Sequence, residues 1–128
     1  MPLSSYATLI DPIRARAAAS PEWPGIVLIH EDGRRESVTV GELWSDMLAV
    51  AAGLRRAGMR ADDVAIVIVE HSRQLLTTFL GAMVLGVVPT MVPTPPPRME
   101  AAAYRQRIDA LALRFGLEPA NAFGRRLT

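Results

Sequence analysis

The order of apolar and polar residues divides the chain into short segments of differing period. Ile10, Ile13 and the alanines at 15 and 17–19 predict a short helix near 11–19. It ends before Pro21, because the residue preceding a proline avoids the helical region. Gly25 to His30 is an apolar run of strand type, Glu31-Asp32-Gly33-Arg34 is a turn signal, and Glu36-Ser37-Val38 reads as the returning strand. Together they predict a β-hairpin. Thr39-Val40-Gly41-Glu42 then has the spacing of a capping box, in which hydroxyl and carboxylate satisfy free backbone N–H groups. Leu43, Met47, Val50 and Leu54 follow at helical spacing, with Trp44 and Ala51 beside them. Arg55 and Arg56 suit the negative end of the helix dipole and Gly58 is placed to cap it, so the helix spans about 40–57.

After a polar turn at Arg60 to Asp63, Val64-Ala65-Ile66-Val67-Ile68-Val69 is a continuous β-branched run. It predicts a strand covered on both faces, the habit of parallel sheets. Ser72 is placed to cap a helix at 73–86. That helix has a broad apolar face of Leu75, Leu76, Phe79, Leu80, Met83 and Val84, and a small-residue face of Gly81, Ala82 and Gly86 that permits close packing. Gly86 also caps the helix, and Val87 to Val92 reads as the next strand. Strand, helix and strand form a βαβ unit with parallel strands and a right-handed crossover. Pro93-Thr94-Pro95-Pro96-Pro97 is an extended connector, since proline and its predecessor avoid helix. Glu100 to Phe115 predicts a last helix with a Tyr104, Ile108, Leu111, Phe115 stripe, ended by Gly116. The expected fold class is therefore α/β: a hairpin plus a βαβ unit and about three helices. A segment 1–24 with a short helix precedes it, the body covers 25–116, and an irregular tail covers 117–128.

Composition narrows the chemistry. The chain has 128 residues, half of them hydrophobic, and a net charge of +1. That balance suits a globular domain and gives no electrostatic case for nucleic acid or an anionic membrane. Cysteine is absent, which excludes disulfides, thiolate–zinc sites and cysteine nucleophiles. All 14 basic residues are arginine, so a Schiff base and a phosphate-loop lysine are excluded too. The N-terminus lacks the pattern of a signal peptide, because Asp11, Pro12, Arg14 and Arg16 precede any apolar run. A cytoplasmic location is expected. No charge occurs between Arg73 and Arg98, but Thr77, Thr78, Pro89, Thr90, Pro93 and Thr94 interrupt the span. A buried helix followed by a buried strand is expected there, with no membrane span.

The candidate chemical groups have plainer readings. Gly81 and Gly86 have phosphate-loop spacing but lie inside a helix and are followed by Val87-Val88, not lysine. Ser72 beside His71 is a helix cap before it is a nucleophile. Asp62 and Asp63 are turn residues before they are metal ligands. His30, beside the hairpin turn, is expected to be exposed. Arg55 and Arg56 stay solvated, Trp44 belongs to the core, and the proline tract is a stiff connector before it is a ligand for an SH3-like domain.

The order of these pieces resembles the N-terminal region of adenylate-forming (AMP-binding) enzymes: acyl-CoA synthetases, fatty acyl-AMP ligases and related adenylation domains. The resemblance rests on Val38-Thr39-Val40-Gly41-Glu42-Leu43, then Ala51 to Gly58, Asp63-Val64-Ala65-Ile66, His71-Ser72, Phe79-Leu80-Gly81-Ala82 and Gly86-Val87-Val88-Pro89-Thr90. The proline-rich stretch followed by Tyr104-Arg105 is most similar to the acyl-CoA synthetase and acyl-AMP ligase branches. About residues 20–115 are covered. The chain departs from the family at Val40, Asp62 and His71, where an aromatic, a glycine and an asparagine are usual.

The resemblance implies ATP-dependent activation of a carboxylate with magnesium, then transfer to a thiol such as CoA or a phosphopantetheine arm. The family's Ser/Thr/Gly-rich phosphate loop, its adenine and ribose segments and its catalytic lysine are absent from this sequence. No catalytic, cofactor-binding or metal-binding residue is therefore assigned, and no cofactor is expected for this chain alone. It is expected to be a truncated fragment that stops where relatives enter another strand, and to be inactive by itself. The alternative is a non-catalytic interaction module or split-enzyme subunit that completes its sheet with a partner chain or a second copy. A free-standing flavodoxin-like domain would need about five parallel strands, against the two found here.

Overall fold

The computed structural model describes residues 5–114. Helix α1 (Ile10–Ala19) leads into a hairpin of β1 (Pro24–Ile29) and β2 (Arg35–Thr39), then α2 (Val40–Arg56), β3 (Val64–Val67), α3 (Arg73–Leu85), β4 (Val88–Met91) and α4 (Ala101–Arg114). The expected α/β architecture is present as two separate two-stranded sheets, β1–β2 antiparallel and β3–β4 parallel. The Phe115 end of the last predicted stripe, the Gly116 stop and the tail 117–128 lie outside the described residues.

Local chemistry explains the boundaries. The Asp11 carboxylate accepts the N–H groups of Ala7 and Thr8 at 3.0 and 2.9 Å, ordering the start of α1. The bond from Thr8 is the main reason its carboxyl is held below the ordinary value. Gly33, at φ 82°, lets the hairpin turn. The Thr39 hydroxyl accepts the Glu42 N–H at 3.1 Å, and the Glu42 carboxylate accepts the Thr39 N–H at 2.9 Å, completing the expected capping box. The Ser72 hydroxyl caps α3 by accepting the Leu75 N–H at 3.2 Å.

Helices α2 and α3 end in one geometry. After α2 the N–H of Met59 donates to Leu54 and that of Gly58 to Arg55; after α3 the N–H of Val87 donates to Ala82 and that of Gly86 to Met83, each at 3.0 Å. This is the Schellman arrangement, which pairs an apolar residue beyond the helix with one in its last turn. Those four apolar residues, Leu54, Met59, Ala82 and Val87, form one buried cluster. A second cluster, Ile10, Val38, Leu43 and Met47, joins α1 and the hairpin to α2.

Two expectations about packing are corrected. The run 64–69 forms a strand only over Val64–Val67. The Val92 N–H still reaches the Val67 carbonyl at 3.0 Å, but the proline connector then leaves the sheet, so Ile68 and Val69 have no ladder partner. Coverage on both faces also fails, since Val64, Ala65 and Ile66 are half-buried and only Val67 is buried. On α3 the fully buried positions are Leu75, Thr77, Gly81 and Ala82, while Phe79, Leu80, Met83 and Val84 are half-buried. The small residues make the tight contact: a Cβ on Gly81 would stand 2.6 Å from Val50 Cβ and 2.8 Å from the Met47 carbonyl of α2.

Candidate functional site

In open α/β sheets, ligands bind outside the carboxyl ends of parallel strands. Here that rim is built by residues 68–72 after β3 and by residues 92–100 after β4. The proline connector has no helix or strand over 92–96, and Pro93, Pro95, Pro96 and Pro97 are exposed. The Tyr104 hydroxyl of α4 donates to the Pro93 carbonyl at 2.8 Å and fixes where the connector leaves the sheet. Desolvation raises the pKa of this phenol above its ordinary value.

The polar groups on the rim do not form a nucleophile and base. The Ser72 hydroxyl donates its proton to the Glu70 carbonyl at 2.8 Å and accepts from Leu75 as the cap of α3. His71 beside it is exposed. Behind the rim, Arg73 Nε donates to Asp46 Oδ2 of α2 at 2.8 Å. That hydrogen bond is the main cause of the raised Arg73 pKa, and the carboxylates of Asp46, Glu42 and Glu36 add to it. The pair ties the start of α3, and so the β3–α3 turn, to α2.

The other candidates are scattered. Asp63 accepts the Arg60 N–H at 2.8 Å, and Asp62 sits at φ 72°, so both shape the turn into β3. Arg55 and Arg56 are exposed at the end of α2. Trp44 packs partly buried against the Met47 cluster with the Arg14 guanidinium 5.5 Å above its ring. His30 corrects the expectation of simple exposure: it is half-buried, with Nε2 3.1 Å from Glu36 Oε2. Leu28 opposes Glu36 in the hairpin, so the next residue on that face, His30, reaches it diagonally. The turn position carried that signal. Arg73 and Asp46 lie 27 residues apart, and nothing local announces their pairing. Among the described residues, no group of three or more His, Cys, Asp or Glu side chains could hold a metal ion. Nor is any helix there long and apolar enough to cross a membrane.

The hydrogen bonds of Ser72, Arg73 and Tyr104 hold this rim in place. The chain carries, in order, a hairpin, a capped helix and a parallel βαβ unit. The chain belongs to the AMP-binding enzyme family, which matches residues 13–118. The fatty acid AMP ligase from Legionella pneumophila superposes with a TM-score of 0.70 and 26% identity, over 80% of this chain and 18% of that one. The L. pneumophila fatty acyl-adenylate ligase in complex with acyl adenylate and pyrophosphate gives 0.67 and 28%, over the same shares. An adenylation domain of a keto acid-selecting NRPS module shares the fold at 0.65 and 19% identity, over 93% of this chain and 26% of that domain. The chain thus spans about a fifth to a quarter of the length of these structures.

Proposed function

We propose that these 128 residues are scaffold for an acyl-activating ligase of the fatty acyl-AMP ligase type. The reaction served would be attack of a carboxylate oxygen on the α-phosphorus of ATP, forming acyl-AMP as pyrophosphate leaves with its magnesium. A thiol, CoA or a phosphopantetheine arm, would then take the acyl group. Fatty acids are the proposed substrate class and the cytoplasm, where ATP is supplied, the proposed location. The observation that carries this reading is the similarity to two fatty acyl ligases at 26% and 28% identity over 80% of the chain. The sequence has no lysine, and among the described residues no group of three or more His, Cys, Asp or Glu side chains could hold a metal ion. No step of the reaction is therefore assigned to them.

The 128-residue polypeptide is accordingly proposed to be inactive alone. ATP–pyrophosphate exchange with medium- and long-chain fatty acids should stay at background, and exchange above it would overturn that statement. Replacing the matched segment of the L. pneumophila fatty acid AMP ligase with this chain should give a folded ligase that still forms acyl-AMP. A folded chimera without that activity would count against the scaffold role. A second reading, an interaction module that completes its sheet with another polypeptide, is favoured by β3 pairing with no strand but β4 among the described residues.

A further inference from the structure

The connector 92–96 has a conformation set by its own residues. Proline fixes φ at Pro93, Pro95 and Pro96, while Val92, Thr94, Pro95 and Pro96 each precede a proline and are pushed to extended ψ. Such a segment is a polyproline II helix, with about three residues per turn and no internal hydrogen bonds. Pro93 and Pro96 therefore share one edge. Both are exposed, as is Pro95, while Val92 and Thr94 are half-buried. Each end of the tract is anchored. The Val92 N–H donates to the Val67 carbonyl at 3.0 Å, and the Tyr104 hydroxyl to the Pro93 carbonyl at 2.8 Å. The Met99 N–H donates to the Pro96 carbonyl at 3.0 Å, closing a turn with Pro97 and Arg98 at its centre. Between these anchors, none of the described residues donates to the carbonyls of Thr94 and Pro95. Arg98 is exposed and is the first charge after Arg73. Among the described residues it makes no ion pair, with Glu100 or any other carboxylate.

We propose that residues 93–98 are a docking ligand for an SH3-like domain, one whose aromatic-lined groove carries carboxylates at one end. The run reads Pro-x-x-Pro-x-Arg. Its two spaced prolines form the exposed edge that such a groove takes, and the Thr94 and Pro95 carbonyls are free to accept from groove donors. Arg98, two residues beyond Pro96, supplies the charge that the carboxylates complement. The roles of stiff connector and ligand are compatible. A free peptide must be ordered when it binds, whereas a tract anchored at Pro93 and Pro96 has already lost that freedom on folding. The anchoring bonds use the backbone, so they leave the proline rings to the partner. This is a binding role separate from adenylation, and pyrophosphate exchange does not report on it.

The test is a titration of an isotope-labelled SH3 domain of that kind with the 128-residue chain, followed by nuclear magnetic resonance. Shifts should fall on the groove aromatics and on the carboxylates beside them. Pro96→Ala and Arg98→Glu should each weaken binding about tenfold or more. Arg56→Glu, at an exposed arginine away from the tract, should leave it unchanged. A free peptide of residues 92–98 should bind more weakly than the intact chain. Slow exchange of the Val92 amide in each variant shows that the sheet is intact, so a loss of binding is not a loss of fold. Four results would overturn the proposal: no shift at the groove, unchanged binding by Pro96→Ala or Arg98→Glu, a free peptide that binds as tightly as the chain, or preference for a WW domain over the SH3 domain.

Discussion

The N–H of Asp62 donates to the carbonyl of Gly86 at 2.8 Å, and both residues have left-handed backbones, at φ 72° and 84°. The turn into β3 and the cap of α3 are thereby one joint, and it sets the start of the parallel sheet. A residue other than glycine pays for this conformation, and aspartate pays less than most because its short polar side chain can bond locally. Asp62→Gly should therefore leave stability unchanged within about 1 kcal/mol. Asp62→Val should cost about 1–2 kcal/mol, since a branched side chain is poorly tolerated there. Gly86→Ala should cost at least as much as Asp62→Val, because its new Cβ would also stand 3.0 Å from Ala61 Cβ. Urea midpoints of the three variants check the order.

The contact of α3 with α2 depends on Gly81 having no side chain. Gly81→Ala places a methyl against Val50 Cβ at 2.6 Å and the Met47 carbonyl at 2.8 Å. The helices must separate, at a cost of about 1–3 kcal/mol. Adding Val50→Ala should recover part of that loss but not all, because the backbone carbonyl stays in place. Equal stability of the single and double variants would show that Val50 is not the obstacle.

Arg73 and Asp46 are each more than a third exposed at the side chain, so solvent screens their attraction. A double-mutant cycle with Arg73→Ala and Asp46→Ala should give a coupling of about 0.5–1 kcal/mol. The coupling should shrink between low and high salt. A coupling near zero at low salt would leave the capping of Ser72 as what holds the start of α3.

The elements were legible in the sequence because their signals are local. Thr39 and Glu42, Ser72, and the glycines at 58 and 86 each act within one turn of their own position. The packing was less legible. On α3 the small-residue face of Gly81 and Ala82 was legible and packs closely on α2, but the broad apolar face of Phe79, Leu80, Met83 and Val84 is only half-buried. The β-branched run 64–69 shows strand preference, but a strand's length also depends on its partner, and the Pro93–Pro97 connector ends that partnership after Val67. At the rim, the capping role of Ser72 and the turn roles of Asp62 and Asp63 were legible. The Arg73–Asp46 and Tyr104–Pro93 bonds were not, since each joins elements that only the fold brings together.

Tyr104 offers a test of the rim that stability alone would not. Its hydroxyl donates to the Pro93 carbonyl, and Tyr104→Phe removes that bond at a cost near the lower end of about 0.5–1.5 kcal/mol, because Pro93 is exposed and water can replace the donor. Burial raises the folded pKa of this phenol above its unfolded value near 10. The stabilising contribution is thus fully present below the unfolded pKa and is lost as pH rises through the folded one. Wild type should lose its advantage over Tyr104→Phe at alkaline pH, and below pH 9 the two stability curves should run parallel. Amide exchange of Thr94 should quicken in the variant at neutral pH, since the bond holds the start of the connector. Unchanged exchange there would mean that the prolines alone keep the connector in place.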